Sequence, residues 1–445
     1  MSFSSSFDPS TLEVATNLPK SKNIMYGQAG GVTAVINASA AAVIETAKQF
    51  PQYFGDCFAA INGIQGVLEE NFVNASQMSD EEIAHMHSIP GAVFGACRFD
   101  LDPLEHNPTQ YARILDIFKA YDIGYFFYNG GNGSMVTALK VAEYCQSNGH
   151  DVRCIGVAKT IDNDLALSYC SPGFGSAAKY LATSFIEAGM DVLAMHKTST
   201  KFFVMEAMGR DVGWLSLAGS LIKEVIPNAP VIILPAEKAF NKEKFLAKVD
   251  EKIAQQGYCL CMASEGLRDE SGNYLAIAGV EHTDEGDYTQ LGGAGRVIAD
   301  IASAHLDCKI HCAVPDYLQR SASHCVSATD WQMAYDAGKA AVIAALQGEH
   351  GTLPVVSATS ESPLEWTMQS VDLEKVANLE YRVPDDFLTE DAMDVSDKGH
   401  QYLLSVIQGE RPLSFQNGLP SISPIALTLC DKRLKSFDAS KNSHY

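Results

Sequence analysis

The chain has 445 residues, 47% hydrophobic and 19% charged, which is long enough for two cores and ordinary for a globular protein in water. A formal net charge of -22 argues against nucleic acid and anionic membranes as partners, so any anionic ligand must be captured by a local basic pocket. Eleven cysteines, odd in number and without framework spacing, read as free thiols of a reducing cytoplasmic compartment.

The stretch MSFSSSFDPSTLEVATNLPKSK (1–22) is serine-rich, lacks the apolar centre of a signal peptide, and reads as a tail. A first strand is expected at NIMYG (23–27). It runs into GQAGGVTAVINAS, where Gly30 and Gly31 precede a helical pattern over 34–50. Glycines at such a turn let backbone N–H groups approach an anion at a helix N-terminus. A plain tight turn explains them equally well, because the pattern is neither G-x-G-x-x-G nor a Walker loop. A later strand, GYFFYN (124–129), ends in a second glycine cluster, Gly130, Gly131, Asn132, Gly133 and Ser134, ahead of a helical pattern over 135–149. Asn132 suits a phosphate oxygen or a metal-bound water. The plainer reading of Ser134 is a helix N-cap.

The strand RCIGVA (153–158) surfaces into Lys159, Thr160, Asp162, Asn163 and Asp164. Asp164 alone would pass as the cap of a helix beginning at Leu165, but that leaves Lys159 and Asp162 without a role. A lysine beside two carboxylates at a strand end suits phosphoryl transfer. The lysine neutralises the migrating group, one aspartate takes a hydroxyl proton, and the other helps hold magnesium. Further strands are expected at 201–208, 230–236, 258–264 and 309–315. Within the third of these, Cys259 and Cys261 share one face and read as core. The alternation of strand and helix from about residue 23 to about 345 predicts α/β architecture with two parallel doubly wound sheets and a ligand at the carboxyl ends of the strands. Beyond about residue 350 the chain turns polar and proline-punctuated (GTLPVVSATSESPLEW) and reads as a C-terminal extension packed on the body. The longest apolar runs, APVIILPA and IGYFFY, are far short of a membrane span.

Taken together, these residues carry a resemblance. AKTIDNDL resembles the P-K-T-I-D-N-D signature of the phosphofructokinase family, with alanine for the leading proline. AGGVTAVIN resembles its first phosphate loop, GACRF (95–99) its donor-phosphate arginine and GGNGS its second loop. MEAMGRDVGW (205–214) resembles the M-G-R loop, SEG (264–266) the sugar-binding glutamate, and YLQRS (317–321) the sugar-phosphate clamp. The first loop with Y-L-Q-R-S is most similar to the bacterial pyrophosphate-dependent branch.

The resemblance implies two Rossmann-like lobes. A donor lobe would take residues 23–173 plus about 320–350, a sugar-phosphate lobe 174–319, and the extension 351–445. It implies magnesium-dependent, reversible transfer from pyrophosphate to the 1-hydroxyl of fructose 6-phosphate, in glycolysis or gluconeogenesis. By residue-to-residue match, Asp162 is the general base, with Lys159, Thr160 and Arg210 around the transferring group. Gly30, Gly31, Arg98, Gly131, Gly133 and Ser134 would meet the donor. Thr160, Ile161, Asp162, Met208, Gly209, Arg210, Glu265, Tyr317, Gln319 and Arg320 would meet the sugar phosphate, and Asn132 and Asp164 the magnesium ion. Lys201 matches a position that reaches in from a neighbouring subunit, which implies a homodimer or homotetramer with shared active sites.

Two positions point opposite ways on the donor. Lysine at the Lys159 position favours pyrophosphate in this family. Gly133 stands where the pyrophosphate branch tends to carry an acid that opposes ATP, so ATP is the alternative donor. Ala29 and Val32 depart from the branch's serine and proline and keep a catalytically weak regulatory or structural paralogue as a further reading. Against it stand Lys159, Thr160, Asp162, Asp164, Arg210, Glu265 and Arg320, all present. A nicotinamide-dependent dehydrogenase lacks its G-x-G-x-x-G after the first strand.

Overall fold

The structure is a computed structural model that describes residues 12–18, 21–283, 286–377 and 379–439; most of the expected tail over 1–22 lies outside them. In chain order, the first half comprises β1 (Lys22–Gln28), α1 (Ile36–Lys48), β2 (Phe54–Ala60), α2 (Gly63–Glu69), β3 (Phe72–Asn74), α3 (Asp80–Met86), α4 (Pro108–Ala120), β4 (Ile123–Gly130), α5 (Asn132–Ser147) and β5 (Arg153–Ala158). There follow α6 (Phe174–Met195), β6 (Thr200–Ala207), β7 (Val231–Leu234), α7 (Lys242–Gln256), β8 (Cys259–Ser264), β9 (Ile277–Thr283), β10 (Gly286–Leu291), α8 (Ala294–His305) and β11 (Lys309–Ala313). The chain ends with α9 (Leu318–Ser321), α10 (Ala328–Leu346), β12 (Thr352–Glu361), β13 (Leu364–Asp372) and α11 (Asp397–Val406), besides short 3₁₀ turns and a two-residue ribbon.

A seven-stranded sheet has the order β13-β12-β5-β4-β1-β2-β3, and a four-stranded sheet the order β11-β6-β8-β7. The central pairs β4–β5, β1–β4 and β1–β2 are parallel, as are all pairs of the smaller sheet. Burial explains why these strands read so clearly. Every residue of β4 is buried, as a parallel strand covered on both faces requires. Cys259 and Cys261 point together into the smaller sheet's core, beside Val204 and Phe245. Small residues let helices close up on the first sheet. A Cβ on Gly338 of α10 would lie 2.2 Å from the Ser39 carbonyl of α1, and Ser39 Oγ donates to the Ala334 carbonyl at 2.8 Å.

The segment after residue 350 does more than pack on the body. β12 and β13 form an antiparallel hairpin whose β12 pairs with β5, so this stretch is the edge of the first sheet. Only Leu353–Val356 of β12 is a buried run, and the remaining residues, polar except for Ala358, are partly exposed, which masked the strand in the sequence. Further on, Val383, Phe387, Leu388, Tyr402 and Leu403 join α6 and the smaller sheet in one core around fully buried Trp214. A buried side chain of that size is worth several kcal/mol.

Candidate active site

The carboxyl ends of β5, β6 and β8, with the turns after β1 and β11, open on a cleft of about 860 Å³. Thirteen of the expected residues line it: Gly31, Arg98, Lys159, Thr160, Ile161, Asp162, Asp164, Met208, Arg210, Glu265, Tyr317, Gln319 and Arg320. Residues 31 and 320 are far apart in sequence, yet their atoms nearly touch.

The reactive corner is built on the turn after β5. Lys159 is buried, and its ammonium donates to the Gly31 carbonyl at 2.6 Å. Gly30 takes φ 71°, and a Cβ there would lie 3.3 Å from Lys159 Nζ. Glycine at that turn therefore serves both the left-handed backbone and the approach of the ammonium. A Cβ on Gly31 would lie 2.9 Å from Arg320 Nη1 and 3.8 Å from Arg98 Nη2. Three cations thus gather on the first glycine loop. Burial pulls the Lys159 pKa down from 10.5 to about 8 despite Asp162 and Asp164 nearby.

Asp162 faces this group. Its Oδ2 accepts from Thr160 Oγ1 at 3.2 Å, and its own backbone N–H donates to that hydroxyl at 3.0 Å. Burial raises its pKa, with Lys159 opposing the rise. Burial, then the neighbouring Asp162, pushes Asp164 up to about 7. Between them Asn163 adopts φ 57°, held by donating to Tyr402 Oη at 2.7 Å and accepting from Ser171 N–H at 2.8 Å. Asparagine tolerates that left-handed geometry. No helix begins at Leu165: the next is α6, so Asp164 is not a helix cap.

On the wall at the ends of β6 and β8, Glu265 Oε1 accepts from Gly209 N–H at 3.2 Å, and burial raises its pKa to about 7. Gly209 takes φ 136°, and a Cβ there would lie 2.3 Å from the Val212 carbonyl, so only glycine fits. Gln319 Oε1 accepts from Met208 N–H at 3.0 Å and fixes the same loop from the other side.

The second glycine loop behaves differently from the first. α5 begins at Asn132, three residues before the expected helix, with Gly131 as N-cap. Ser134 therefore lies inside the helix and is not its cap. It packs on Gly130, whose Cβ would fall 2.1 Å from Ser134 Oγ. A Cβ on Gly131 would lie 3.4 Å from the Lys159 carbonyl, whereas one on Gly133 meets nothing within 4 Å. None of Gly130 to Ser134 lines the cleft. Asn132 Nδ2 donates to the Leu379 carbonyl at 2.6 Å, which leaves its Oδ1 buried without a partner. Asp164 Oδ1 is likewise buried and unpartnered. Lys201 sits at the start of β6, some 16 Å by strand rise from the cleft-lining Glu206 on the same strand.

Sequence reasoning missed five charged lining residues: Glu206, Asp211, Arg296, Asp316 and Glu380. Glu206 and Asp211 flank the M-G-R loop and were within reach of the pattern. Glu380 arrives from the C-terminal segment, where the Tyr381 N–H donates to the Asp164 carbonyl at 2.8 Å. No local signal announces such a return.

The phosphofructokinase family profile matches residues 23–345. The chain is 43% identical over 410 residues to the pyrophosphate–fructose 6-phosphate 1-phosphotransferase of Methylococcus capsulatus, covering 92% of this chain and 96% of that protein. It is 44% identical over 417 residues to the protein of that name from Xanthomonas campestris, covering 94% and 99%. Its fold superposes with a TM-score of 0.86 on the crystal structure of the pyrophosphate-dependent phosphofructokinase of Nitrosospira multiformis, at 41% identity over 94% of this chain and 100% of that one.

Proposed function

The chain belongs to the phosphofructokinase family, and on that premise we propose that it transfers a phosphoryl group from pyrophosphate to the 1-hydroxyl of fructose 6-phosphate, giving fructose 1,6-bisphosphate and phosphate. The observation that carries this reading is the meeting of Lys159, Arg98 and Arg320 at Gly31, beside Asp162. A loose phosphoryl-transfer transition state asks for positioning and charge neutralisation, and this corner offers both.

In the reaction, Asp162 takes the proton of the 1-hydroxyl as its oxygen attacks the nearer phosphorus. The bridging P–O bond breaks, and the electron pair leaves with the departing phosphate, whose charge Lys159 balances. Thr160 holds Asp162 in place, and Arg210 and Glu265 orient the sugar. The unpartnered oxygens of Asn132 and Asp164 suit a hard cation held by few protein oxygens plus phosphate oxygens and water. These two residues would hold magnesium, which supplies charge neutralisation on the phosphate oxygens when bound. Among the described residues no three His, Cys, Asp or Glu side chains cluster as a metal site, in keeping with a cation completed by its substrate.

With pyrophosphate as donor the products lie close in energy, so the reaction runs both ways. A second reading keeps ATP as donor, because Gly133 faces open space. The position of Lys201 outside its own cleft supports a shared site in a homodimer or homotetramer. Among the described residues no helix is long and apolar enough to cross a membrane, and all eleven cysteines are free thiols, which supports a cytoplasmic placement. The test is the initial rate of fructose 1,6-bisphosphate formation with magnesium, comparing pyrophosphate with ATP. Pyrophosphate-supported turnover that ATP cannot match is expected. ATP-only turnover would overturn the donor, and silence with both would overturn the activity.

A further inference from the structure

We propose that Tyr402 of α11 is a positioning residue for the reaction: its hydroxyl holds Asn163 and thereby sets Asp162 and Asp164 toward the cleft. The proposal rests on the reading above and extends it to a residue that no motif carries, outside the residues 23–345 that match the family profile.

The turn after β5 has to present two carboxylates and hide the residue between them. Asp162 and Asp164 both line the cleft, whereas Asn163 is 1% exposed and turns inward. Its φ of 57° lies in the left-handed region, where a residue with a side chain stays only if its surroundings hold it. Two hydrogen bonds do so. Asn163 Oδ1 accepts from Ser171 N–H at 2.8 Å, which closes the loop on itself. Asn163 Nδ2 donates to Tyr402 Oη at 2.7 Å, which ties the loop to an element 239 residues further on.

Tyr402 is built to be a fixed point. Its hydroxyl donates to the Tyr169 carbonyl at 2.9 Å while accepting from Asn163, so the group is used both ways. Its ring is braced by Tyr169, Phe387 and Trp214, with centroids 5.1, 5.3 and 5.4 Å away. Trp214 ends the stretch that carries the M-G-R loop, so one side chain references both the acid pair and the opposite wall. Tyr402 is buried and does not line the cleft, so it acts through Asn163 alone. Without the hydroxyl, the Asn163 amide would be left buried and unpaired. Asn163 escapes that cost by leaving φ 57°, and any such rotation swings the carboxylates on either side of it.

The experiment is a double-mutant cycle in steady-state kinetics with pyrophosphate, using Tyr402→Phe, Asn163→Gly and the pair, with thermal unfolding of each. Tyr402→Phe keeps the ring in its aromatic setting and removes only the hydroxyl. Its kcat should fall roughly 10- to 100-fold, as a displacement of about 1 Å at the reacting groups does. Both KM values should stay within about twofold, because binding residues are untouched. Glycine takes φ 57° unaided and has no amide to hold. In the Asn163→Gly background, therefore, Tyr402→Phe should change kcat by less than about twofold. Val395→Ala thins the same core without touching the bond, and should lower the Tm while leaving kcat within about twofold. A Tyr402→Phe kcat within twofold of wild type would overturn the proposal. So would single effects that multiply in the pair, or an equal loss of kcat in Val395→Ala. Wild-type protein silent with both pyrophosphate and ATP would instead overturn the proposed function, and this inference with it.

Discussion

Replacing Lys159 by methionine should make the protein more stable and nearly inactive. Lys159 is 3% exposed, and burial lowers its pKa from 10.5 to about 8, a displacement worth roughly 3 kcal/mol against folding in the charged state. Because the folded value is lowered, the penalty is fully present below pH 8 and is relieved as pH rises from 8 through 10.5. Methionine keeps the length and removes the charge. It also removes the hydrogen bond to the Gly31 carbonyl, which offsets about 1.5 kcal/mol or more. Asp162 and Asp164 then lack their nearest counter-charge and answer by binding protons near neutrality. The net expectation is a gain of about 1 kcal/mol at pH 7 in urea unfolding, shrinking towards pH 10. In a coupled assay of fructose 1,6-bisphosphate formation, loss of one preorganised transition-state charge should lower kcat with pyrophosphate by roughly 10²–10³. A variant less stable than wild type by a margin independent of pH would refute the desolvation argument. One retaining over about a tenth of kcat would refute the role in transfer.

Asp162→Asn keeps size and removes the base, so kcat should fall by about 10²–10⁴ with both KM values little changed; unaltered kcat would assign proton removal elsewhere. The pH profile of kcat/KM should be a narrow bell. Its acid limb falls as pH drops below about 7, where Asp164 and Glu265 take up protons alongside the raised Asp162, and its basic limb falls above about 8, where Lys159 loses its charge; a flat profile between pH 6 and 9 would count against it. Gly133→Asp has open space for its side chain, so stability should hold within about 0.5 kcal/mol. Any ATP-supported rate should fall relative to the pyrophosphate rate, and an unchanged ratio would show that this position does not read the donor. Mixing inactive Lys201→Ala and Asp162→Asn subunits should restore part of the activity if sites are shared between subunits, and no recovery in a mixed oligomer would place Lys201 outside the site.

The parallel core was legible because its strands are buried on both faces. RCIGVA is β5 residue for residue, and the expected strands at 124–129 and 201–208 fall within one residue of β4 and β6. The glycine turns and the lysine–aspartate cluster were legible for a related reason: few residue types can approach an anion or titrate at a strand end. Edges and returns were not. β2 carries the exposed pair Gly55 and Asp56 in its apolar run, and β12 is half polar, so neither shows a clean period. The family resemblance places Asn132 beside the metal, and only the fold shows that its amide is held by Leu379. The motif that carries Arg320 gives no sign that its guanidinium also approaches Gly31, where a Cβ would lie 2.9 Å from Nη1.

Those returns matter to the chemistry, because one of them joins the two halves of the site. Residues 379–383 accept from Asn132 Nδ2 at Leu379 and donate from Tyr381 N–H to the Asp164 carbonyl, both beside the seven-stranded sheet. They accept from Trp214 Nε1 at Tyr381, 2.8 Å, and donate from Val383 N–H to Glu237 Oε1 at 2.9 Å, both beside the four-stranded sheet. Glu237 in turn holds Gly213 N–H, three residues after Arg210. Pulling these groups apart would forfeit four hydrogen bonds of roughly 1 kcal/mol each, which is a large fraction of a protein's net stability. The angle between the glycine loops and the M-G-R loop is therefore fixed by a strap far from both in sequence. For a reaction whose catalysis consists of holding two anions in line, that prior alignment accounts for why the chain runs on past residue 345, where the family's shared core ends.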